Sequence, residues 1–232
     1  MHRFTVSAAL LWLLTAGSQA AMYVDRSQLT FKPGQAGRQD LTITNPDNET
    51  LYVKVEVSEI LGAGTENEER RVAKAADDIR LLATPNKLVI PPGQQKTVRL
   101  VNLAGHGDSE RVYRVNVTPV VGKLDVPDGQ GLQVKVVVAY DLLVLVAPAK
   151  PTPSLLAERN GNSISFRNTG NTNIYLYNGQ QCPAADAPAT ECRNVNGKRL
   201  YPGNEWITTL PFDRPVDFFL DILDTHEKRR FD

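Results

Sequence analysis

The feature that most restricts the fold of this 232-residue chain is an alternation of apolar side chains that ends at Tyr140. Gln133 and Lys135 occupy the intervening positions of its first half. A period of two places the apolar row on one face of an extended strand. Because the opposite face is polar, this part of the strand is not enclosed on both sides. Either the row packs on its own domain, as in an ordinary sandwich strand, or it is lent to another protein. The row consists of Leu132, Val134, Val136, Val138 and Tyr140.

The first residues of the chain predict a secretory signal peptide. A short basic start at His2 and Arg3 precedes an apolar stretch, Ala8–Leu14, and a small-residue exit, Ser18–Ala20. This order is typical of export signals, and the apolar run is too short to span a bilayer. We expect residues 1–20 to be removed and the mature, exported chain to start near Ala21.

The charge and the cysteine content of the chain exclude several kinds of binding site and predict a disulfide. The 26 basic and 26 acidic residues cancel, so no overall field favours nucleic acid or an anionic membrane surface. In an exported protein, Cys182 and Cys192 are expected to form a disulfide. The histidines left after export, His106 and His226, are distant from both cysteines in the sequence, and we expect no metal site.

Short β-branched and aromatic segments separated by turn residues predict an all-β protein built from sandwiches. Three prolines within residues 148–153 predict a stiff linker. The expected domains are therefore residues 21–147 and 154–232. The predicted strands are Tyr23–Phe31, Arg38–Asn45, Leu51–Ile60, Leu88–Ile90, Gln95–Asn102, Arg111–Val121, Leu132–Val146, Leu155–Arg159, Ser163–Asn168, Ile174–Asn178, Glu205–Thr209 and Val216–Leu223.

Three segments are predicted to lie outside regular structure. Gly62–Asp78 is charged and rich in turn residues, and it is expected to be a mobile surface loop. Gly122–Gly131 is expected to connect two strands, and the charged Asp224–Asp232 is expected to fray. No motif for a catalytic nucleophile, a paired-carboxylate site, a phosphate loop or a dinucleotide site is present. The chain is therefore not expected to be an enzyme or to need a cofactor.

The order of these features resembles the periplasmic chaperones of the chaperone-usher pilus pathway, and most closely the alternate chaperones of class 5 (colonisation-factor type) fimbriae. The resemblance covers nearly the whole mature chain and implies two immunoglobulin-like sandwiches. It is carried by Val24–Phe31, Leu82–Pro85, Leu88–Gly93, Lys96–Leu100, Val112–Val115 and Asn168–Asn171, followed by the two cysteines.

The resemblance gives the alternating strand a role. In this family, the last strand of the first domain completes the incomplete sandwich of a pilin subunit, which is a form of strand addition. The matching residues are Leu132, Val134, Val136 and Val138. Burial of four such side chains would contribute about 6 to 12 kcal/mol before the costs of association. The implied function is a periplasmic chaperone that binds fimbrial subunits, prevents their aggregation and delivers them to the outer-membrane usher.

One departure from the family concerns the pair of basic residues that holds the carboxylate of the pilin. Gln28 stands at the first of these positions, and the second falls near Asp141 or Leu142. Arg114, central in an apolar strand, is the best replacement because a guanidinium can bind a carboxylate with two hydrogen bonds. The alternative is a solvated, outward-facing arginine. Arg26 is a weaker candidate because Asp25 adjoins it.

Two other functions remain open. A structural fimbrial protein or adhesin would normally carry a flexible extension after its signal peptide, whereas a strand pattern starts here at Met22. An exported sugar-binding or hydrolytic sandwich would need clustered aromatic residues or paired carboxylates near one loop end, and Trp206 stands alone in the sequence. The sequence also leaves open whether the free chaperone dimerises through its exposed strand.

Overall fold

The computed structural model describes residues 22–120, 137–184 and 186–232. The predicted signal peptide and three of the predicted subunit-binding residues, Leu132, Val134 and Val136, lie outside these ranges. A short 3-10 helix is formed by Ala76–Asp78. The strands are β1 (Tyr23–Val24), β2 (Gln28–Phe31), β3 (Arg38–Thr44), β4 (Leu51–Leu61), β5 (Glu69–Val72), β6 (Leu81–Thr84), β7 (Lys87–Ile90), β8 (Gln95–Asn102), β9 (Arg111–Pro119), β10 (Tyr140–Val146), β11 (Leu155–Asn160), β12 (Ser163–Asn168), β13 (Ile174–Gln181), β14 (Arg193–Val195), β15 (Lys198–Leu200), β16 (Glu205–Thr209), β17 (Val216–Ile222) and β18 (Thr225–Phe231).

The first ten strands form a sandwich of two sheets. One sheet has the order β1-β3-β8-β6, and the other has the order β2-β10-β9-β4-β5, with β7 also paired to β4. Alternate side chains of each strand point between the sheets, which is why the strands show a period of two. The fully buried residues of this core include Phe31, Leu41, Ile43, Ile90, Leu100, Val115, Leu142 and Val144.

The last eight strands form the second sandwich. Its three-stranded sheet has the order β11-β12-β16, and its five-stranded sheet has the order β14-β13-β17-β18, with β15 also paired to β13. A disulfide joins Cys182 to Cys192, between the neighbouring ends of β13 and β14. The predictions of an all-β fold with two sandwiches and of this disulfide are therefore confirmed. The most buried members of this core are Phe166, Leu176, Leu200, Val216, Phe218 and Leu220.

The strand predicted at Tyr23–Phe31 is divided in two. β1 pairs with β3 in one sheet, whereas β2 pairs in parallel with β10 in the other. Between them, the Asp25 side chain accepts a hydrogen bond from the Thr42 backbone N–H at 2.9 Å. The chain therefore crosses from one sheet to the other, which period-two patterning alone does not reveal because both halves face the same core.

Two segments predicted to be irregular contain strands. Within Gly62–Asp78, expected to be a mobile loop, β5 pairs with β4 as the second half of a hairpin. Within Asp224–Asp232, expected to fray, β18 pairs with β17 along its whole length. Both are edge strands in which charged side chains point to solvent, and such charges discourage pairing with other chains without preventing strand formation. Their polarity conceals them in the sequence.

Buried polar contacts connect the two sandwiches. The side chain of Glu110, the residue just before β9, accepts hydrogen bonds from Asn173 Nδ2 at 2.7 Å and from Thr172 Oγ1 at 3.0 Å. The Glu110 backbone N–H donates to the Asn171 carbonyl at 2.9 Å. Arg199 donates to the side chains of Asn173 and Gln28. This network therefore runs from the first sandwich into the second and back.

Glu110 should make the stability of the protein depend on pH. Burial raises the pKa of its carboxyl group, although the hydrogen bonds from Asn173 and Thr172 oppose the shift. Just above the ordinary glutamate pKa, the unfolded chain has lost this proton while the folded chain keeps it, so this residue makes stability fall as pH rises. We expect Glu110→Gln to remove that fall. Denaturant unfolding at a series of pH values would test this, and parallel pH profiles for the two proteins would contradict it.

Candidate functional site

The structure describes the last part of the predicted subunit-binding strand, residues 137–139, which lie directly before β10. Val137 is 37% exposed and Val138 is 40% exposed, and both precede the first residue of β10. The predicted strand started at Leu132, so Val137–Ala139 differ from the prediction. Continuing the register of β10 with β9, in which Tyr140 is opposite Val117, would place Val138 opposite Pro119. Proline has no N–H to donate, so the ladder cannot continue there.

The even-numbered residues of β10 face the core of the first sandwich. Leu142, Val144 and Val146 are at most 1% exposed, and the Tyr140 hydroxyl donates a hydrogen bond to the Met22 carbonyl at 2.9 Å. Side chains two residues apart share a face of a strand. If the chain is extended at Val138, this side chain continues the apolar face of β10. Val138 itself is exposed, because it lies beyond the end of the sandwich core.

The same end of β10 has an open edge. β10 pairs with β9 along its whole length, but with β2 only from Leu143 onward. Within the part of the chain that the structure describes, Tyr140–Leu142 have no strand partner on the β2 side, because β1 has already crossed to the other sheet. Unpaired strand edges accept an additional strand from another chain. The open edge of β10 and the exposed Val138, whose position continues the apolar face of β10, thus lie next to each other.

Arg114 lies in the middle of the sheet that contains this edge. Its register partners are Leu143 on β10 and Ser58 on β4. Its neighbours Tyr113 and Val115 are buried, whereas Arg114 is half-buried on the outer face of the sheet. Within residues 22–120, 137–184 and 186–232, no carboxylate forms an ion pair with Arg114. Burial raises the pKa of Tyr201, and the charges of Arg199 and Arg114 oppose that shift, which places Arg114 near the second sandwich.

Arg26, the weaker candidate for carboxylate binding, already has a partner: it forms an ion pair with Asp25 at 2.8 Å. Asp141 forms an ion pair with Arg70 at 2.6 Å, and Leu142 belongs to the core. Neither Asp141 nor Leu142 carries a positive charge, so neither supplies a second basic residue for a carboxylate.

Sequence reasoning missed Arg199, which reaches this face from β15. Its Nη2 donates to the Gln28 side chain at 3.0 Å. The guanidinium also donates to Asn173 and lies over the Tyr175 ring, 4.7 Å from its centroid. No local signal in Lys198–Leu200 could have indicated this role, because it depends on how the two sandwiches meet.

A family model described as the CS5 fimbrial protein N-terminal domain matches residues 28–146. This range covers β2 to β10 and just over half of the chain. The chain belongs to this family. The CS5 family match therefore includes the open edge of β10 and Arg114.

Relatives of this CS5-family chain are fimbrial proteins. It is 27% identical over 192 residues to a curated CS1 fimbrial subunit of Escherichia coli, and the match covers 79% of each chain. Its fold is shared with the class 5 fimbriae chaperone CfaA, with a TM-score of 0.65 and 22% identity over 90% of this chain and 97% of that chain. A structure of Salmonella enterica SafA pilin in complex with the SafB chaperone gives a TM-score of 0.64 at 14% identity, covering 93% of this chain and 98% of that one.

Neither a metal centre nor a membrane span is found in the described part of this CS5-family chain. No group of three or more histidine, cysteine, aspartate or glutamate residues there is arranged to hold a metal ion. No helix in the same ranges is long and apolar enough to cross a membrane.

Proposed function

We propose that this protein is a periplasmic chaperone that binds fimbrial subunits by lending them a strand, and that it is not an enzyme. The observation that supports this most directly is the open edge of β10 beside the exposed Val138. A subunit that lacks one strand exposes both an unpaired edge and part of its core, which makes it prone to aggregation. The chaperone would supply the missing backbone hydrogen bonds and apolar side chains together.

The proposed subunit-binding strand contains Leu132, Val134, Val136 and Val138. Four such side chains would contribute about 6 to 12 kcal/mol on burial in the subunit, reduced by the cost of association. Arg114 is the proposed partner of the subunit carboxylate, because it is half-buried and has no ion-pair partner in the described ranges. A charged hydrogen bond at such a position is strengthened when a bound subunit excludes water.

The proposed organisation has four parts. Residues 1–20 would be a cleaved signal peptide, 21–147 the subunit-binding sandwich, 148–153 the linker and 154–232 the disulfide-bearing sandwich. We also propose that the loaded chaperone delivers its subunit to an outer-membrane usher, and this is supported by the fold shared with a chaperone–tip subunit complex of archaic chaperone-usher pili from Acinetobacter baumannii.

A second candidate is a structural fimbrial subunit. It is favoured by the names of the curated Escherichia coli relatives, which are a CS1 fimbrial subunit and, at 27% identity over 171 residues, a CFA/I fimbrial subunit. A structural subunit that accepts a strand needs a groove open to its core. In this chain, Leu142 and Val144 of the first sandwich are already covered. The closed core supports the chaperone over the structural subunit.

Co-expression with a fimbrial subunit encoded nearby would test the proposal. We expect the two proteins to co-purify from the periplasm and the subunit to be degraded or to aggregate when expressed alone. Removing the last residues of the subunit should weaken the complex. If this protein is instead found polymerised in isolated fimbriae, the structural alternative is correct.

A further inference from the structure

Two guanidinium groups lie on the same side of the first sandwich, where the second sandwich meets it. Gln28 of β2 pairs with Leu143 of β10, and Leu143 pairs with Arg114 of β9. Because register partners on neighbouring strands share a face of the sheet, Gln28 and Arg114 lie on one face, two strand spacings or about 10 Å apart. The Arg199 guanidinium of the second sandwich donates to the Gln28 side chain at 3.0 Å. Arg114 and Arg199 therefore stand at opposite ends of one short row.

The surroundings of Tyr201 show that positive charge predominates at this junction. Burial raises the pKa of its hydroxyl, and the charges of Arg199 and Arg114 oppose that shift. Glu110 and Glu68 reinforce the shift, but each has a smaller effect than either arginine. The charges around this hydroxyl therefore sum to a positive field, with both glutamates included.

Arg199 has hydrogen-bond donors to spare. A guanidinium carries five N–H groups, and those of Arg199 donate to the side chains of Asn173 and Gln28, which are both neutral. Its face lies over the Tyr175 ring, 4.7 Å from the centroid. Among the residues that the structure describes, no carboxylate lies within ion-pair distance of Arg199 or Arg114. Each guanidinium can therefore donate to a further acceptor.

The acidic side chains that adjoin the row on the same face have other partners. Side chains two residues apart share a face of a strand, so Asp141 of β10 and Glu56 of β4 lie one step along from the row of Arg114. Asp141 forms an ion pair with Arg70 at 2.6 Å, and Glu56 forms one with Lys54 at 2.6 Å. An incoming anion would thus meet two guanidinium groups that these acids do not neutralise.

The open edge of β10 determines where an added strand must end. This edge is free at Tyr140–Leu142, but β2 occupies it from Leu143 onward. A strand added to the free part therefore stops against Gln28, the first residue of β2, to which Arg199 donates. If the added strand runs parallel to β10, as β2 does, its C-terminal end lies at this point.

A carboxylate matches the two arginines. It has two acceptor oxygens, and each oxygen can accept a charge-assisted hydrogen bond from a different guanidinium. Its negative charge would also relieve the repulsion between the two positive charges, which grows when a bound partner excludes water. The C-terminus of a strand bound at the edge of β10 brings such a group.

We propose that Arg199 is the second basic residue that binds the C-terminal carboxylate of a bound fimbrial subunit, together with Arg114. This rests on the proposed chaperone function and specifies how the end of the subunit is held. The site is shared, because the first sandwich supplies Arg114 and the second supplies Arg199. Binding of the carboxylate then depends on the angle between the sandwiches, which the contact of Arg199 with Gln28 helps to fix.

The test removes this guanidinium and then returns one to the same row from the first sandwich. Isothermal titration calorimetry of the full mature protein with a fimbrial subunit should show that Arg199→Ala weakens binding by about tenfold or more. Adding Gln28→Arg should restore most of the lost affinity, because the new guanidinium shares a face with Arg114, although it cannot restore the contact with Asn173. Arg167→Ala, at an exposed arginine on the other sheet of the second sandwich, should leave binding unchanged.

An amidated subunit separates carboxylate binding from a structural role of Arg199, which also connects the two sandwiches. Arg199→Ala should weaken binding of a subunit with a free C-terminal carboxylate much more than binding of the same subunit ending in an amide. Equal losses for the two subunits, or no recovery with Gln28→Arg, would overturn the proposal while leaving the chaperone function intact. No binding of either subunit to the unaltered protein would reject the chaperone function itself, and this proposal with it.

Discussion

Val138→Asp is expected to abolish capture of a fimbrial subunit, whereas Val137→Asp is expected to leave capture intact. The two valines are similarly exposed, at 40% and 37%, so neither change should disturb folding of the free protein. If the chain is extended here, Val138 shares the face of Tyr140 and Leu142, and Val137 points the other way. In the proposed complex, only residue 138 would place an uncompensated carboxylate in the core of the subunit. Such a charge costs about 3 to 5 kcal/mol, which is a loss of at least a hundredfold in affinity.

Co-purification of a co-expressed subunit measures this effect, with circular dichroism as the check that both variants are folded. The design separates the strand-lending proposal from a general loss of surface hydrophobicity, since both variants lose one valine. Equal capture by the two variants would refute the proposed face, and loss of folding in Val138→Asp would mean that this valine belongs to the core of its own domain.

Arg114→Ala is expected to weaken subunit binding by about 2 to 5 kcal/mol, because the subunit carboxylate would be left without its partner. Arg114→Lys should recover part of that loss, since lysine keeps the charge but not the two-pronged geometry. Arg99→Ala is the matched control: Arg99 is an exposed arginine on the other sheet of the same sandwich, ion-paired with Asp40 at 2.7 Å. Titration calorimetry or a competition assay with purified complex would measure the differences.

The carboxylate assignment can be tested independently of the size of the loss. If Arg114 binds the C-terminal carboxylate, a subunit ending in an amide should already bind weakly, and Arg114→Ala should weaken it little further. This is a double-mutant cycle in which the coupling energy isolates the pair. Additive effects of the two changes would show that Arg114 acts elsewhere.

Much of the fold could be predicted from the sequence because apolar and polar residues alternate with a period of two in the central strands. In segments such as β3, β9 and β17, buried residues alternate with less buried ones along most of the strand, so period-two patterning identified them. β5 and β18 could not be found in this way, because most of their residues are exposed and charged. Their stability comes from pairing with a neighbouring strand, which is a tertiary effect that local composition does not carry.

The candidate site was only partly accessible from the sequence. The spacing of Val138 and Tyr140 alone indicates that they share one face of a strand. The end of the pairing between β9 and β10 opposite Pro119 could not be predicted, because it depends on the register of the two strands. The role of Arg199 was hidden for a similar reason.

The Glu110 and Arg199 contacts have a mechanical consequence. Bending one sandwich against the other would remove the hydrogen bonds that the buried Glu110 side chain accepts from Asn173 and Thr172. It would also separate the Arg199 guanidinium from Gln28. Leaving buried polar groups without hydrogen-bond partners costs free energy. We therefore expect the junction between the two sandwiches to resist bending. In the proposed complex, a subunit bound to the first sandwich would thus be held at a constant angle to the second sandwich, and an usher could receive it in one defined orientation.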